Sequence, residues 1–301
     1  MKLKDYLHFF RWENLLFIVL IQVLIKFILF QKFELSMALN NLHFAILVIA
    51  TICIAIAGYI INDVQDIETD KINKPNKVFV SKKISKKKAN NLFVIFNSVG
   101  LLLGFYLSIY INKNSFFIVF LITSLLLYRY AIDLKKRFFI GNLVVSFIVF
   151  LSVVLIILFD IVPATNNYNN QAQWHVTTLV LVLSGFAFFI TLIREITKDL
   201  EDKKGDKHIN ANTLAIYLGD NKTKNIIVLI SIIPFAVISY FAYTFLTNDL
   251  FLALFLIVFI ALPLLYFMFK IKKANTQKEY GKLSRLLKII MLFGIMSILL
   301  F

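Results

Sequence analysis

A chain of 301 residues that is 60% hydrophobic and 16% charged has too few polar groups to cover a water-soluble fold, in which about 25% of residues are charged. Lipid is the solvent such a composition fits. The formal charge of +15 lies between hydrophobic stretches, so membrane lipids and an anionic substrate are the expected partners, and nucleic acid is not.

In chain order, Lys2, Lys4 and Arg11 precede a first apolar run. This start imitates a secretory leader, but the run is long and lacks a small-residue cleavage site, so it reads as a retained first span. Hydrophobic runs at 14–31, 42–61, 91–111, 116–132, 139–159, 176–193, 225–246, 250–269 and 286–301 approach the roughly 20 residues a bilayer requires, the fourth and ninth being short. The fold class expected is an all-α membrane protein of about nine transmembrane helices, forming one domain over 1–301. Lys26 falls near the far end of the first span and is expected to snorkel. Arg129 falls near the end of the fourth span and either snorkels or faces a cavity.

Loop charge gives an independent check. The segment before the first span and those after spans two, four, six and eight are basic, through Lys71 to Lys88, Lys135 to Arg137, Lys198 to Lys207 and Lys270 to Lys282. The alternate loops are nearly free of positive charge. The positive-inside rule therefore predicts a multi-pass protein of the cell inner membrane, with its N-terminus and basic loops cytoplasmic. Cys53, the sole cysteine, excludes an intrachain disulfide, and His8, His43, His175 and His208 show no metal-ligand spacing. No glycine-rich phosphate loop or nucleophile elbow is present.

Nine of the 17 acidic residues fall in two short segments. Asn62, Asp63, Asp66 and Asp70 follow the second span in NDVQDIETD. Glu195, Asp199, Asp202 and Asp206 follow the sixth in REITKDLEDKKGD. If the second span continues as a helix, Asn62, Asp66 and Asp70 share a face, with Asp63 off it. In the later segment, steps of four, three and four confine all four carboxylates to roughly 60° of arc. Like charges at i,i+4 repel by a few tenths of a kcal/mol per pair, which a bound cation would offset. Hard divalent ions take oxygen ligands, and Mg²⁺ binds through one or two carboxylates plus phosphate oxygens. Two acidic columns at one membrane boundary thus suit a diphosphate head on a greasy tail. Neutralising that leaving group is Lewis-acid and electrostatic catalysis. Asp66, Asp199 and Arg194 are the candidate catalytic residues. Lys135, Lys198 and Arg194, near the acids, are candidates to hold the diphosphate.

At this point the chain resembles the UbiA superfamily of intramembrane prenyltransferases over essentially its whole length. Asn62, Asp63, Asp66 and Asp70 resemble the family's N-D-x-x-D-x-x-x-D signature, and Glu195, Asp199, Asp202 and Asp206 its second acidic repeat. Asn73, Pro75 and Lys77 resemble N-x-P-x-R, with lysine where arginine is common. Arg11 and Asn14 resemble R-P-x-N with Trp12 in the proline position, and Leu134-Lys135 with Gly141-Asn142 looks like L-K-R…G-N. The resemblance implies a helical bundle around a central cavity, Mg²⁺ dependence, a prenyl diphosphate donor, a lipophilic acceptor and release of pyrophosphate. It adds Arg11, Asn14 and Lys77 to the substrate-binding candidates. The second motif is most similar to the subgroup that prenylates geranylgeranylglyceryl phosphate, and aromatic prenyltransferases of quinone biosynthesis are the close alternative. A cation-coupled transporter is the remote one, disfavoured because its sites sit at broken helices near the midplane. A non-catalytic scaffold is disfavoured because it gains nothing from columns of repelling charge.

Overall fold

The computed structural model describes residues 3–73 and 78–300. Among these, nine helices are long and apolar enough to cross a membrane: Trp12–Phe30, Asn41–Gln65, Lys86–Tyr110, Asn114–Ile132, Ile140–Ala164, Asn170–His208, Asp220–Phe245, Leu250–Lys273 and Gln277–Leu300, below spans 1 to 9. No strand forms among the described residues, only an isolated bridge between Val80 and Ile84. Hydropathy placed the spans and understated their ends. Span 9 begins at Gln277, nine residues before the apolar run, because Lys282 and Arg285 lie on an exposed face while Tyr280, Leu283 and Leu287 are buried. Span 6 has 39 residues, about twice what the hydrocarbon needs, so its acidic repeat lies in the turns beyond the apolar stretch.

The chain divides into two compact units, Met1–Lys135 with Leu151–Leu181, and Lys136–Phe150 with Val182–Phe301. In the first, span 2 is the most buried element, capped by Asn40, whose side chain accepts from the His43 backbone N–H at 2.9 Å. It packs most extensively on span 3. Gly100 and Gly104 of span 3 permit that approach and the next: a Cβ at Gly100 would lie 2.8 Å from Ile54, and one at Gly104 2.5 Å from Phe120. Small residues four apart are how membrane helices gain van der Waals contact when lipid supplies no hydrophobic drive between them.

Within this unit Lys26 departs from expectation. It does not snorkel. Its side chain is 2% exposed and its Nζ lies 2.6 Å from Asp160 Oδ2, where Asp160 is 0% exposed. Lys26 also donates to the Leu39 carbonyl at 2.8 Å, and Asp160 Oδ1 accepts from the Leu39 N–H at 2.8 Å. Both charges sit in wide π-helical turns, Ile25–Phe30 and Ile157–Ile161. Snorkelling assumes no partner, and one was present 134 residues away. Arg129 is exposed beside Asp133 at 3.7 Å.

The second unit has its own core, in which Ile190, Ile193 and Ile196 of span 6 pack with Ile227, Ile260, Leu264, Phe267 and Leu287. A capping box starts span 9: Thr276 Oγ accepts from the Glu279 N–H, and Glu279 accepts from the Thr276 N–H. These contacts fix the frame from which the acidic turns of span 6 extend.

Candidate active site

The first acidic motif lies at the end of span 2, and its column is not one continuous helix. The helix stops at Gln65. Asp66 adopts φ −92°, ψ 7°, and a short helix resumes over Ile67–Asn73. Two i→i−4 bonds flank the break, Asp66 N–H donating to the Asn62 carbonyl at 2.9 Å and Asp70 N–H to the Asp66 carbonyl at 2.8 Å. A four-residue repeat cannot reveal such a break, because the spacing in the sequence is the same whether the helix continues or stops and resumes.

Asp66 is engaged at both oxygens. The Asn62 amide donates to Oδ2 at 2.7 Å and Lys135 Nζ to Oδ1 at 2.5 Å, with Lys135 also 3.4 Å from Asn62 Oδ1. Lys135 is 11% and Asp66 19% exposed. Lys135 arrives from the turn Leu134–Lys136 after span 4. Asp63, off the main face, is bound by Arg11 at 2.6 Å. Arg11 caps span 1 in a left-handed conformation, φ 53°, and lies over the Tyr59 ring, 4.9 Å from its centroid. Tyr59 was missed in the sequence, although it sits one turn before Asp63. Asn14 follows on span 1, its N–H donating to the Arg11 carbonyl at 2.8 Å. Asp70 is half-buried. Lys77 lies outside the described residues.

The second motif, in the other unit, lies on uninterrupted helix, so Glu195, Asp199, Asp202 and Asp206 do share a face of span 6. Glu195 Oε1 accepts from Lys198 at 2.7 Å and from Arg194 at 3.2 Å. Arg194 Nε is buried without a hydrogen-bond partner, a donor that a bound anion would satisfy. Asp199 accepts from the buried Asn142 amide at 3.0 Å. The Gly141-Asn142 pair was visible in the sequence, but not its carboxylate partner. Asp202 and Asp206 continue the face, half-buried.

Among the described residues no three His, Cys, Asp or Glu are gathered into a cage of the kind that holds a metal unaided. Mg²⁺ typically uses one or two carboxylates and completes its shell with water and phosphate. At the second motif, carboxylates beside Lys198 and the orphaned Arg194 Nε–H suit metal and diphosphate together.

The sequence model of the UbiA prenyltransferase family matches residues 32–291. The chain belongs to that family. It is therefore an enzyme, a prenyltransferase, and an integral membrane protein. Digeranylgeranylglyceryl phosphate synthase of Saccharolobus solfataricus is 34% identical over 296 residues, which is 96% of this chain and 96% of that protein. The synthase of the same name from Sulfurisphaera tokodaii is 41% identical over 194 residues, 62% of this chain, and the match spans 63% of that protein's length. In fold, the chain resembles a solved digeranylgeranylglyceryl phosphate synthase with a TM-score of 0.66 at 24% identity, covering 100% of this chain and 99% of that one. A UbiA homologue from Archaeoglobus fulgidus, solved with DMAPP and Mg²⁺, gives 0.57 at 15% identity over 98% of this chain and 99% of that one.

Proposed function

We propose that this UbiA-family enzyme is a digeranylgeranylglyceryl phosphate synthase, acting as a single catalytic domain. The observation that carries the reading is the end-to-end similarity to the Saccharolobus protein of that name. A product with two geranylgeranyl groups requires an acceptor already carrying one, geranylgeranylglyceryl phosphate, and a geranylgeranyl diphosphate donor. The allylic C–O bond of the donor breaks, the acceptor hydroxyl oxygen takes the prenyl carbon and loses its proton, and diphosphate leaves.

Asn62, Asp66 and Asp70 of the first motif, with Asp63 beside them, and Glu195, Asp199, Asp202 and Asp206 of the second would hold Mg²⁺. At either motif, such an ion would supply charge neutralisation on the leaving diphosphate. Arg194, with its unsatisfied Nε, and Lys198 beside the second motif, and Lys135 beside the first, are the candidates to orient phosphate oxygens, as is Lys77, which lies outside the described residues. Arg11, with Asn14 beside it, holds the entry of span 1 against Asp63. Asn142 fixes the Asp199 carboxylate. Apolar helix walls exclude water and so protect an allylic cation from quenching, and aromatic faces stabilise it. The distribution of basic loops supports a cytoplasmic position for these turns, in a protein of the cell inner membrane.

The test uses purified protein in nanodiscs with Mg²⁺ and labelled geranylgeranyl diphosphate. Geranylgeranylglyceryl phosphate and 4-hydroxybenzoate are supplied side by side. Prenylation of the glyceryl phosphate is expected, and exclusive prenylation of the aromatic ring would overturn the assignment.

A further inference from the structure

Both oxygens of Asp66 are already occupied, one by Asn62 and the other by an ammonium group. A divalent ion needs at least one of them. Two cations on one carboxylate oxygen repel, and at this depth water screens them poorly. The ammonium and the metal are therefore alternatives.

We propose that Lys135 is a resident counter-cation of the first motif, that metal enters by exchange with it, and that the displaced lysine passes to the diphosphate arriving with the metal. The proposal rests on the assignment of Asp66 to a metal and diphosphate site.

Three features single out Lys135. It sits on a turn of its own after span 4, not on the acidic helix, so its side chain can swing away without disturbing the backbone that carries Asp66. It is a compact charge on a flexible stem, able to trade one oxygen for another, unlike the planar guanidinium fork. Its neighbour Arg11 shows the contrast: held by Asp63, by the Tyr59 ring and by a left-handed backbone, it is an anchor. Lys71 pairs with Glu68 on the same short helix, both exposed, and such a solvated pair contributes little.

The consequence is a coupling built into the unliganded protein. Metal alone must break the Lys135–Asp66 pair and leave the lysine unsatisfied. Metal with diphosphate gives it a new acceptor. Each ligand therefore tightens the other, reciprocally, and part of that coupling belongs to Lys135.

The experiment measures Mn²⁺ affinity, as an EPR-visible stand-in for Mg²⁺, on the full chain in nanodiscs, at fixed free Mn²⁺, with and without inorganic pyrophosphate. Lys135→Met and Lys135→Gln should bind Mn²⁺ alone roughly five- to a hundredfold more tightly than wild type, and pyrophosphate should help them less. Lys71→Met, which removes the same charge nearby, should leave affinity unchanged. Unchanged or weaker Mn²⁺ binding in the Lys135 variants overturns the exchange, as does equal tightening in Lys71→Met. A wild-type readout stands if the variants fold poorly: amine-reactive labelling of Lys135, read by mass spectrometry. It should rise with Mg²⁺ alone and fall again when pyrophosphate is added, and labelling indifferent to Mg²⁺ refutes the proposal. Asp66→Ala separates the two levels. Loss of metal binding there, with unaltered affinity in the Lys135 variants, sinks the exchange alone, whereas full metal binding and transfer in Asp66→Ala sinks the site beneath it.

Discussion

Replacing Lys26 with methionine removes one member of an ion pair whose partners are 2% and 0% exposed. Breaking a buried pair by deleting one partner costs about 3–5 kcal/mol, because the remaining charge stays desolvated. Here the Leu39 N–H still donates to Asp160 Oδ1, which pulls the cost down. The Leu39 carbonyl loses its lysine donor, which returns about 1 kcal/mol. The expected loss for Lys26→Met is therefore about 4 kcal/mol. Adding Asp160→Asn removes the stranded charge while keeping an acceptor for Leu39, so the double variant should recover about half of that loss. The assay is reversible unfolding in mixed micelles by titration with SDS, comparing wild type, both single variants and the double variant as a mutant cycle. The reasoning fails if Lys26→Met costs less than about 1 kcal/mol, the range of a solvated pair, or if the double variant is no more stable than the single.

Other outcomes follow from the same geometry. Asp66→Ala and Asp199→Ala should each lower prenyl transfer by at least about a hundredfold while membrane insertion is retained, measured with labelled donor and by fractionation. Asn142→Leu removes the donor to Asp199 and should weaken metal affinity about ten- to a hundredfold, visible in Mn²⁺ titrations of the folded protein. Gly104→Ala places a methyl 2.5 Å from Phe120, a ring buried edge-on against Phe159, and should destabilise by about 1–3 kcal/mol on the same SDS titration. Gly185→Ala, inside span 6 and meeting nothing within 4 Å, should not destabilise on that titration and should gain up to about 1 kcal/mol.

The amino-acid sequence alone determined how many helices cross the membrane and where the acidic turns fall on them. Both depend on local quantities, apolar run length and the 3.6-residue period, and neither needs a neighbour. For the same reason the spacing of Glu195, Asp199, Asp202 and Asp206 is enough to set them on one face of span 6. Tertiary structure decided the pairing. Lys26 found Asp160 and Lys135 found Asp66 at separations of 134 and 69 residues, and Asn142 found Asp199 at 57. Hydropathy assigns each of these residues a burial tendency but no partner, so Lys26 read as a snorkelling cation. The break at Asp66 was hidden too, since a four-residue spacing reads the same for a helix that continues as for one that stops at Gln65 and resumes at Ile67. Periodicity fixes which side of a helix a charge occupies, whereas close packing selects the opposite charge that meets it there.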